Sequence, residues 1–245
     1  MTGTQPKKVI VRAIGPSLNV GGGPVPGKLE NPTLDLNGPG GLIASNDDWR
    51  STQEAEIIAT TVPPTNDLES AIVATLPAST IGIGYTAVMR GVNNTTGIGL
   101  VEAFDLDRSV DSKLANISTR GFVQTVDNVM IGGFIVLGPD PQKVIVRAIG
   151  PSLANAVPPV AGALADPMLE LRDSNGALLA SNDNWQDSPD KQAIIDSGVP
   201  PTNDMESAIV ATLPSSVTGI GYTAIVSGVN GATGVGLVEV YALAP

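Results

Sequence analysis

Histidine and cysteine are both absent from the 245 residues. Without histidine there is no Ser-His-Asp triad and no imidazole-bound zinc. Without cysteine there is no thiol nucleophile, no thiolate metal site and no disulfide. Aromatic residues make up only 3 % of the chain, so any core is built from Val, Ile, Leu and Ala. Basic residues are scarce too: 13 against 24 acidic ones, a net charge of −11. No basic stripe is present to neutralise phosphates, which argues against nucleic acid as a partner. The acidic surface instead favours divalent cations. No apolar run approaches the roughly 18 residues of a membrane span. Neither a GxxxxGK[ST] nor a GxGxxG element occurs, and the Gly21–Gly23 stretch lacks the strand-to-helix context of a phosphate loop. MTGTQPKKV has no apolar signal-peptide region. Either export uses another signal or the true N-terminus lies upstream.

What the chain does have, it has twice. VIVRAIGPSL occurs at 9–18 and again at 144–153. VPPTNDLESAIVATLP at 62–77 returns at 199–214 with Met205 in place of Leu68. GIGYTA occurs at 82–87 and 219–224. A repeat this long is a whole domain rather than a solenoid turn. The expected domains are 1–112 and 113–245, meeting in the polar stretch DLDRSVDSK. The copies are unequal. The second is preceded by LANISTRGFVQTVDNVMIGGFIVLGPDPQK at 114–143, where the first has only MTGTQPKK. Two strand-like runs, 117–124 and 128–136, therefore exist once.

With 28 Gly and 20 Pro the chain is rich in turns, which fits short strands and an all-β fold. In the first copy the patterns predict strands at 9–14, 33–36, 41–45, 67–76, 84–92 and 97–106, with the same set in the second. One helix of about two turns is expected per copy. Ser51-Thr52-Gln53-Glu54 reads as a capping box ahead of 55–60, and Pro189 as a first helical residue ahead of 190–196. The sum is two tandem antiparallel β-sandwiches, jelly-roll or immunoglobulin-like, the second with lead-in strands within 117–136.

Carboxylates and amides carry what chemistry remains. Asn46 and Asp47 follow a strand, as do Asn182 and Asp183. About twenty residues on come Asp67 and Glu69, matched by Asp204 and Glu206. If Asp67 begins a strand, Asp67 and Glu69 share a face. Together these eight residues would offer hard oxygen ligands for Ca²⁺. Plain turn chemistry is the competing reading, since Asn and Asp cap turns. A catalytic carboxylate pair for glycoside hydrolysis is the weakest, given a duplicated site and few aromatics to stack sugars. No enzyme is expected. Trp49 and Trp185 read as packing plugs beside the Asn/Asp turns rather than sugar platforms. Arg12 and Arg147, inside apolar strands, would pair with Glu102 and Glu239 or else guard edge strands. Asn93, Asn94 and Asn116 lie in N-x-[ST] sequons and are candidate glycan sites.

LRDSNGALLASNDN at 171–184, the downstream Asp-x-Glu and Gly-Tyr-Thr-Ala at 221–224 resemble the bacterial pre-peptidase C-terminal type of β-sandwich. The longer unit, with RAIGPSL and PTNDxESAIVATLP, is similar to repeats of secreted bacterial proteins and to subunits of extracellular bacterial fibrils. The resemblance implies secretion to the outside or surface of the cell, a Ca²⁺ site at the Asn/Asp turn and a scaffolding or binding role. The expected function is a structural fibre subunit that polymerises with itself, head to tail, by β-strand addition through 117–136. The alternative is an accessory module of a larger secreted hydrolase or adhesin, binding glycans or a surface.

Overall fold

The computed structural model describes residues 1–243. The chain divides into two units, Met1–Leu114 and Ala115–Pro245. The boundary falls two residues past Ser112 because Ser112–Lys113 pair with Thr2–Gly3 and so belong to the first unit.

The first unit has six main strands: β1 Lys7–Ile14, β2 Pro32–Gly38, β3 Gly41–Asn46, β4 Ser70–Leu76, β5 Thr86–Gly91 and β6 Leu100–Asp105. The second has eight: β7 Asn116–Val123, β8 Met130–Val136, β9 Gln142–Ile149, β10 Pro167–Asp173, β11 Leu178–Asn182, β12 Ser207–Leu213, β13 Ile220–Gly228 and β14 Gly234–Ala242. A short helix joins β3 to β4 (α1, Glu54–Ala59) and β11 to β12 (α2, Lys191–Asp196).

In the second unit the sheet orders are β7-β14-β9-β12 and β8-β13-β10-β11, antiparallel throughout. Numbered one to eight, these are 1-8-3-6 facing 2-7-4-5, the strand order of a jelly roll rather than an immunoglobulin domain. The inner faces enclose one core containing Val123, Val146, Leu169, Leu171, Ala224, Val226 and Val238. The first unit keeps the same order without the first two strands: β4-β1-β6 and β3-β2-β5. Its core contains Val9, Val11, Ala13, Leu34, Leu36, Ile72 and Leu76. Among the described residues the first unit thus has six main strands and the second eight.

The unbroken apolar strings in β1 and β9 have a cause. Each lies at the centre of its sheet with both faces covered. In β9, Val144, Val146 and Ala148 face the sandwich core, while Ile145 on the other face joins a second cluster with Trp185, Ile194 and Ala208. Ile10, Trp49, Ile57 and Ala71 form the equivalent cluster in the first unit. The helix therefore exists to cover the outer face of one sheet. A helix of six residues is marginal in isolation, and tertiary contact holds it.

Two local expectations are corrected. Gln53 precedes α1 in the left-handed region (φ 55°), and no side chain caps that helix. Its amide instead brackets Val73 on the edge strand β4, donating to the carbonyl (2.9 Å) and accepting from the N–H (3.2 Å). The predicted capping box loses to this longer-range pairing, which satisfies groups an edge strand leaves open. In the second unit the helix begins after Pro189, with Asp190 at its N-cap.

Candidate functional site

The residues singled out around the Asn/Asp turns come close in the chain path but do not converge on one point. Strands β4 and β12 start at Ser70 and Ser207, not at Asp67 and Asp204. The expectation that Asp67 and Glu69 share a strand face is therefore wrong: both lie in the turn before the strand and point apart. Asp67 is exposed and pairs with Arg50 (2.6 Å), and Asp204 accepts from Gln186 (3.0 Å).

Glu69 and Glu206 point inward and are fully buried. Glu69 accepts from the main-chain N–H of Gly15 (3.3 Å), Ser17 (2.9 Å) and Asn66 (3.2 Å) and from the Ser17 hydroxyl (2.6 Å). Glu206 does the same with Gly150 (3.2 Å), Ser152 (2.9 Å), Asn203 (3.3 Å) and the Ser152 hydroxyl (2.8 Å). The two repeated strings, GPS and TNDxE, are thus the two halves of one lock. The glycine is fixed by packing: a Cβ on Gly15 or Gly150 would collide with the carbonyl of Leu29 or Leu164.

Asn46 and Asn182 are also committed to the fold. Asn46 accepts from the Ala71 N–H (2.9 Å) and donates to the Asp48 carbonyl (3.1 Å), and Asn182 repeats this with Ala208 (2.9 Å) and Asn184 (3.2 Å). The main-chain carbonyls of Asp47 and Asp183 accept from the Ser70 and Ser207 hydroxyls. Trp49 and Trp185 are the expected plugs: each is buried and donates its ring N–H to the carbonyl of Asn66 (3.1 Å) or Asn203 (3.0 Å). Among the described residues no group of three or more acidic, His or Cys side chains is placed to hold a metal ion. Of the eight predicted ligands, Glu69, Glu206, Asn46 and Asn182 have their oxygens turned to main-chain donors.

Some oxygens beside the turns are left over. Asn31 Oδ1, Asp48 Oδ1 and Asp166 Oδ1 are buried without a partner. Burial, and next to it the Asp183 charge, pushes the Asp166 carboxyl above its ordinary range, and burial with Asp48 does the same to Asp47. A carboxyl raised in the folded state contributes stability below its unfolded pKa, and this is lost as pH rises through the folded value. The first unit has Asn31 where the second has Asp166. In metal-free buffer, Asp166→Asn is therefore expected to raise the second unit's melting temperature slightly at neutral pH and to remove the gain expected of wild type on mild acidification. A lowered melting temperature would contradict this.

Arg12 and Arg147 take the paired role. Both lie on central strands, so the edge-guard reading is excluded. Arg12 sits opposite Glu102 and Arg147 opposite Glu239, each forming an ion pair. Each guanidinium also donates to a carbonyl before the TND turn, Val62 (2.8 Å) or Val199 (2.7 Å), and lies over an aromatic ring, Phe104 or Tyr241. Of the sequon residues, Asn93 and Asn94 lie in an exposed turn with positive φ (55° and 60°). Asn116 begins β7 and donates to the Val240 carbonyl (3.0 Å).

The feature that sets the units apart is a side of the sandwich. In the second unit, β7 pairs with β14 and β8 with β13, one strand for each sheet. This two-strand arm, joined by a corner at 124–129, closes one side. Val123, Met130 and Val136 project from it into the core, and Phe134 stacks on Tyr222 with ring centroids 5.7 Å apart. Beneath it Tyr222, Ala224, Val226, Val238 and Val240 are buried. In the first unit the corresponding strands, β5 and β6, are edges. Their matching residues Tyr85, Ala87, Met89 and Val101 are only half-buried, and Ala103 is exposed. Similar side chains in the same places are wetter because, of the described residues, only Met1–Gly3, which pairs at Ile83 and Ser79, lies along this side of the first unit. The opposite edge of the same unit, strand β4, is guarded by the side chains of Asn46 and Gln53, which accept from the Ala71 and Val73 N–H groups. Sequence reasoning registered the missing strands but not these lining residues, which only sheet order locates.

No family model matches the chain, and no curated protein does. Among solved structures it is similar to the major capsid protein P2 of bacteriophage PM2, at 10 % identity over 100 % of this chain and 90 % of that one, with a TM-score of 0.25. It is also similar to the tandem CBM51 modules of a family 98 glycoside hydrolase from Streptococcus pneumoniae SP3-BS71 (10 % identity, 98 % and 79 % covered, TM-score 0.25). A third likeness is to the VP2 subviral particle of infectious bursal disease virus (10 % identity, 98 % and 58 % covered, TM-score 0.20). TM-scores this low carry no argument about function.

Proposed function

We propose that the chain is a structural subunit of an extracellular protein fibre, in which subunits associate by β-strand addition at the open side of the first unit. One observation carries the reading: β5 and β6 present unpaired backbone and half-buried core residues where the second unit has two covering strands. Unpaired edges beside uncovered apolar surface favour pairing with another chain. An open, non-closing contact of this kind gives a filament. The extracellular setting rests on the resemblance to fibril subunits. The reading assigns no catalytic role, because the buried carboxylates Glu69 and Glu206 are committed to main-chain donors.

Calcium belongs to this proposal only at the leftover oxygens of the Asn/Asp turns. If Asp166 and Asp183 take up Ca²⁺, its addition raises the second unit's melting temperature, since a ligand that binds only the folded state stabilises it. Asp166→Asn abolishes that rise. Identical melting curves in calcium and in chelator would remove calcium from the reading.

The test of the fibre itself is negative-stain electron microscopy of the concentrated protein, with size-exclusion chromatography across a dilution series. Filaments that dissociate on dilution are expected. A dispersed, well-folded monomer at every concentration would overturn the proposal and move the reading to an accessory glycan- or surface-binding module.

A further inference from the structure

Resting on that reading, we infer that the open side of the first unit is a docking site for the β7–β8 arm, residues 116–135, of a second copy of this chain; the place of Val136 is already held by Met1, which pairs with Ile83 as Val136 pairs with Ile220. The second unit displays the occupant on a site of the same construction. There the register is fixed: Arg120 lies opposite Leu237, Val123 opposite Gly234, Ile131 opposite Ile225 and Phe134 opposite Tyr222. Carried to the matching positions of the first unit, Arg120 falls opposite Leu100, Val123 opposite Gly97, Ile131 opposite Val88 and Phe134 opposite Tyr85.

The steric details agree. A Cβ on Gly132 would meet Val238 Cγ1 at 2.8 Å, so the arm is glycine where it crosses that valine. The first unit keeps a valine there, Val101. Gly236 lies under Val123, whose Cγ2 is 3.0 Å from where its Cβ would be. The first unit keeps a glycine there too, Gly99, and the space above it holds the end of the Met89 side chain. Met89 thus lies over the place that Val123 fills in the second unit. An unbranched, flexible methionine can cover such a gap and leave it at little cost. It acts as a latch that the incoming arm displaces.

The 245 residues hold two such sites and one arm. Moving an arm from its own second unit to a neighbour's first unit fills one side and empties another. Exchange of an identical element between copies is a low-cost route to association for that reason. The share of exchanged arms then follows protein concentration and the difference in fit between the two sites.

Because the chain has no cysteine, single-cysteine variants read the contact directly. Two variants, one carrying the acceptor and one the donor cysteine, are denatured, mixed, refolded at high concentration and oxidised. The matched mixtures are Val88→Cys with Ile131→Cys and Leu100→Cys with Arg120→Cys. The mismatched mixtures are Val88→Cys with Arg120→Cys and Leu100→Cys with Ile131→Cys. None of the four positions is buried, so folding survives. Matched mixtures are expected to give roughly tenfold more mixed disulfide, because the bond needs Cβ atoms within about 4.5 Å. Equal yields from all four, or no mixed disulfide, would overturn the inference. So would a predominance of Val88→Cys homodimers, which would show two open sides facing each other. Matched disulfides without filaments in the microscope would keep the docking site and sink the fibre. Filaments without matched disulfides would do the reverse.

Discussion

Glu206→Ala is expected to unfold the second unit at room temperature or leave it barely folded. The carboxylate accepts four hydrogen bonds, three from main-chain N–H groups that have no other partner among the described residues. Each buried donor left unpaired costs about 1–3 kcal/mol, so the loss is on the order of 4–6 kcal/mol after partial rescue by water. A domain stable by about 5–15 kcal/mol cannot absorb much of that. Glu206→Gln separates hydrogen bonding from shape. The amide oxygen keeps the Gly150 and Ser152 N–H groups, the amide N–H₂ can donate to the Ser152 hydroxyl, and only Asn203 N–H loses its acceptor. It should cost less than half as much. Trp185 is the one tryptophan of the second unit, so its fluorescence in a Trp49→Phe background reports the denaturation midpoint of that unit alone. Equal, small shifts for Ala and Gln would show that the carboxylate is not the lock described.

Arg147→Ala is expected to destabilise the same unit by about 3–5 kcal/mol, because removing one member of a buried ion pair strands the other. Glu239 would be left nearly buried with only the Tyr241 and Ser118 hydroxyls, and the Val199 carbonyl would lose its donor. For a unit of this size the loss corresponds to a fall of roughly 10 °C or more in melting temperature. The side chains of Arg147 and Glu239 are 14 % and 9 % exposed, against 15 % and 25 % for Arg12 and Glu102. Arg12→Ala should therefore cost the first unit less, because Glu102 can regain water. Replacing both partners, Arg147→Met with Glu239→Leu, should recover much of the loss, since an apolar pair strands no charge. A double variant as unstable as the sum of the two single ones would show that each residue acts through separate contacts.

These two residues mark how far local pattern reaches. The Arg147–Glu239 pair was legible as one of two alternatives, because an arginine in an apolar strand needs either an acid or an edge. Deciding between them required the sheet order, which places β9 at the centre. Glu206 was legible as a candidate and misread in role. The string TNDMES looks like a strand start, and alternation would put Asp204 and Glu206 on one face. The strand begins at Ser207 because Asn203 turns the chain, its side chain accepting from the Met205 N–H (3.0 Å) and its main-chain carbonyl from the Glu206 N–H (3.1 Å). That turn aims the glutamate at Gly150 and Ser152, more than fifty residues earlier. No spacing rule within one segment contains that partner.

The duplication, the all-β class, the number of strands in each copy and the single occurrence of the arm followed from the sequence by itself. Strand and turn signals are local, and a repeat is visible without any fold. The jelly-roll order, the locked glutamates, the inward turn of Asn46 and Asn182 and the open side of the first unit were decided only by tertiary structure. Each depends on which strands become neighbours across the two sheets, and that is fixed by burial of side chains far apart in the chain rather than by the pattern within any one strand.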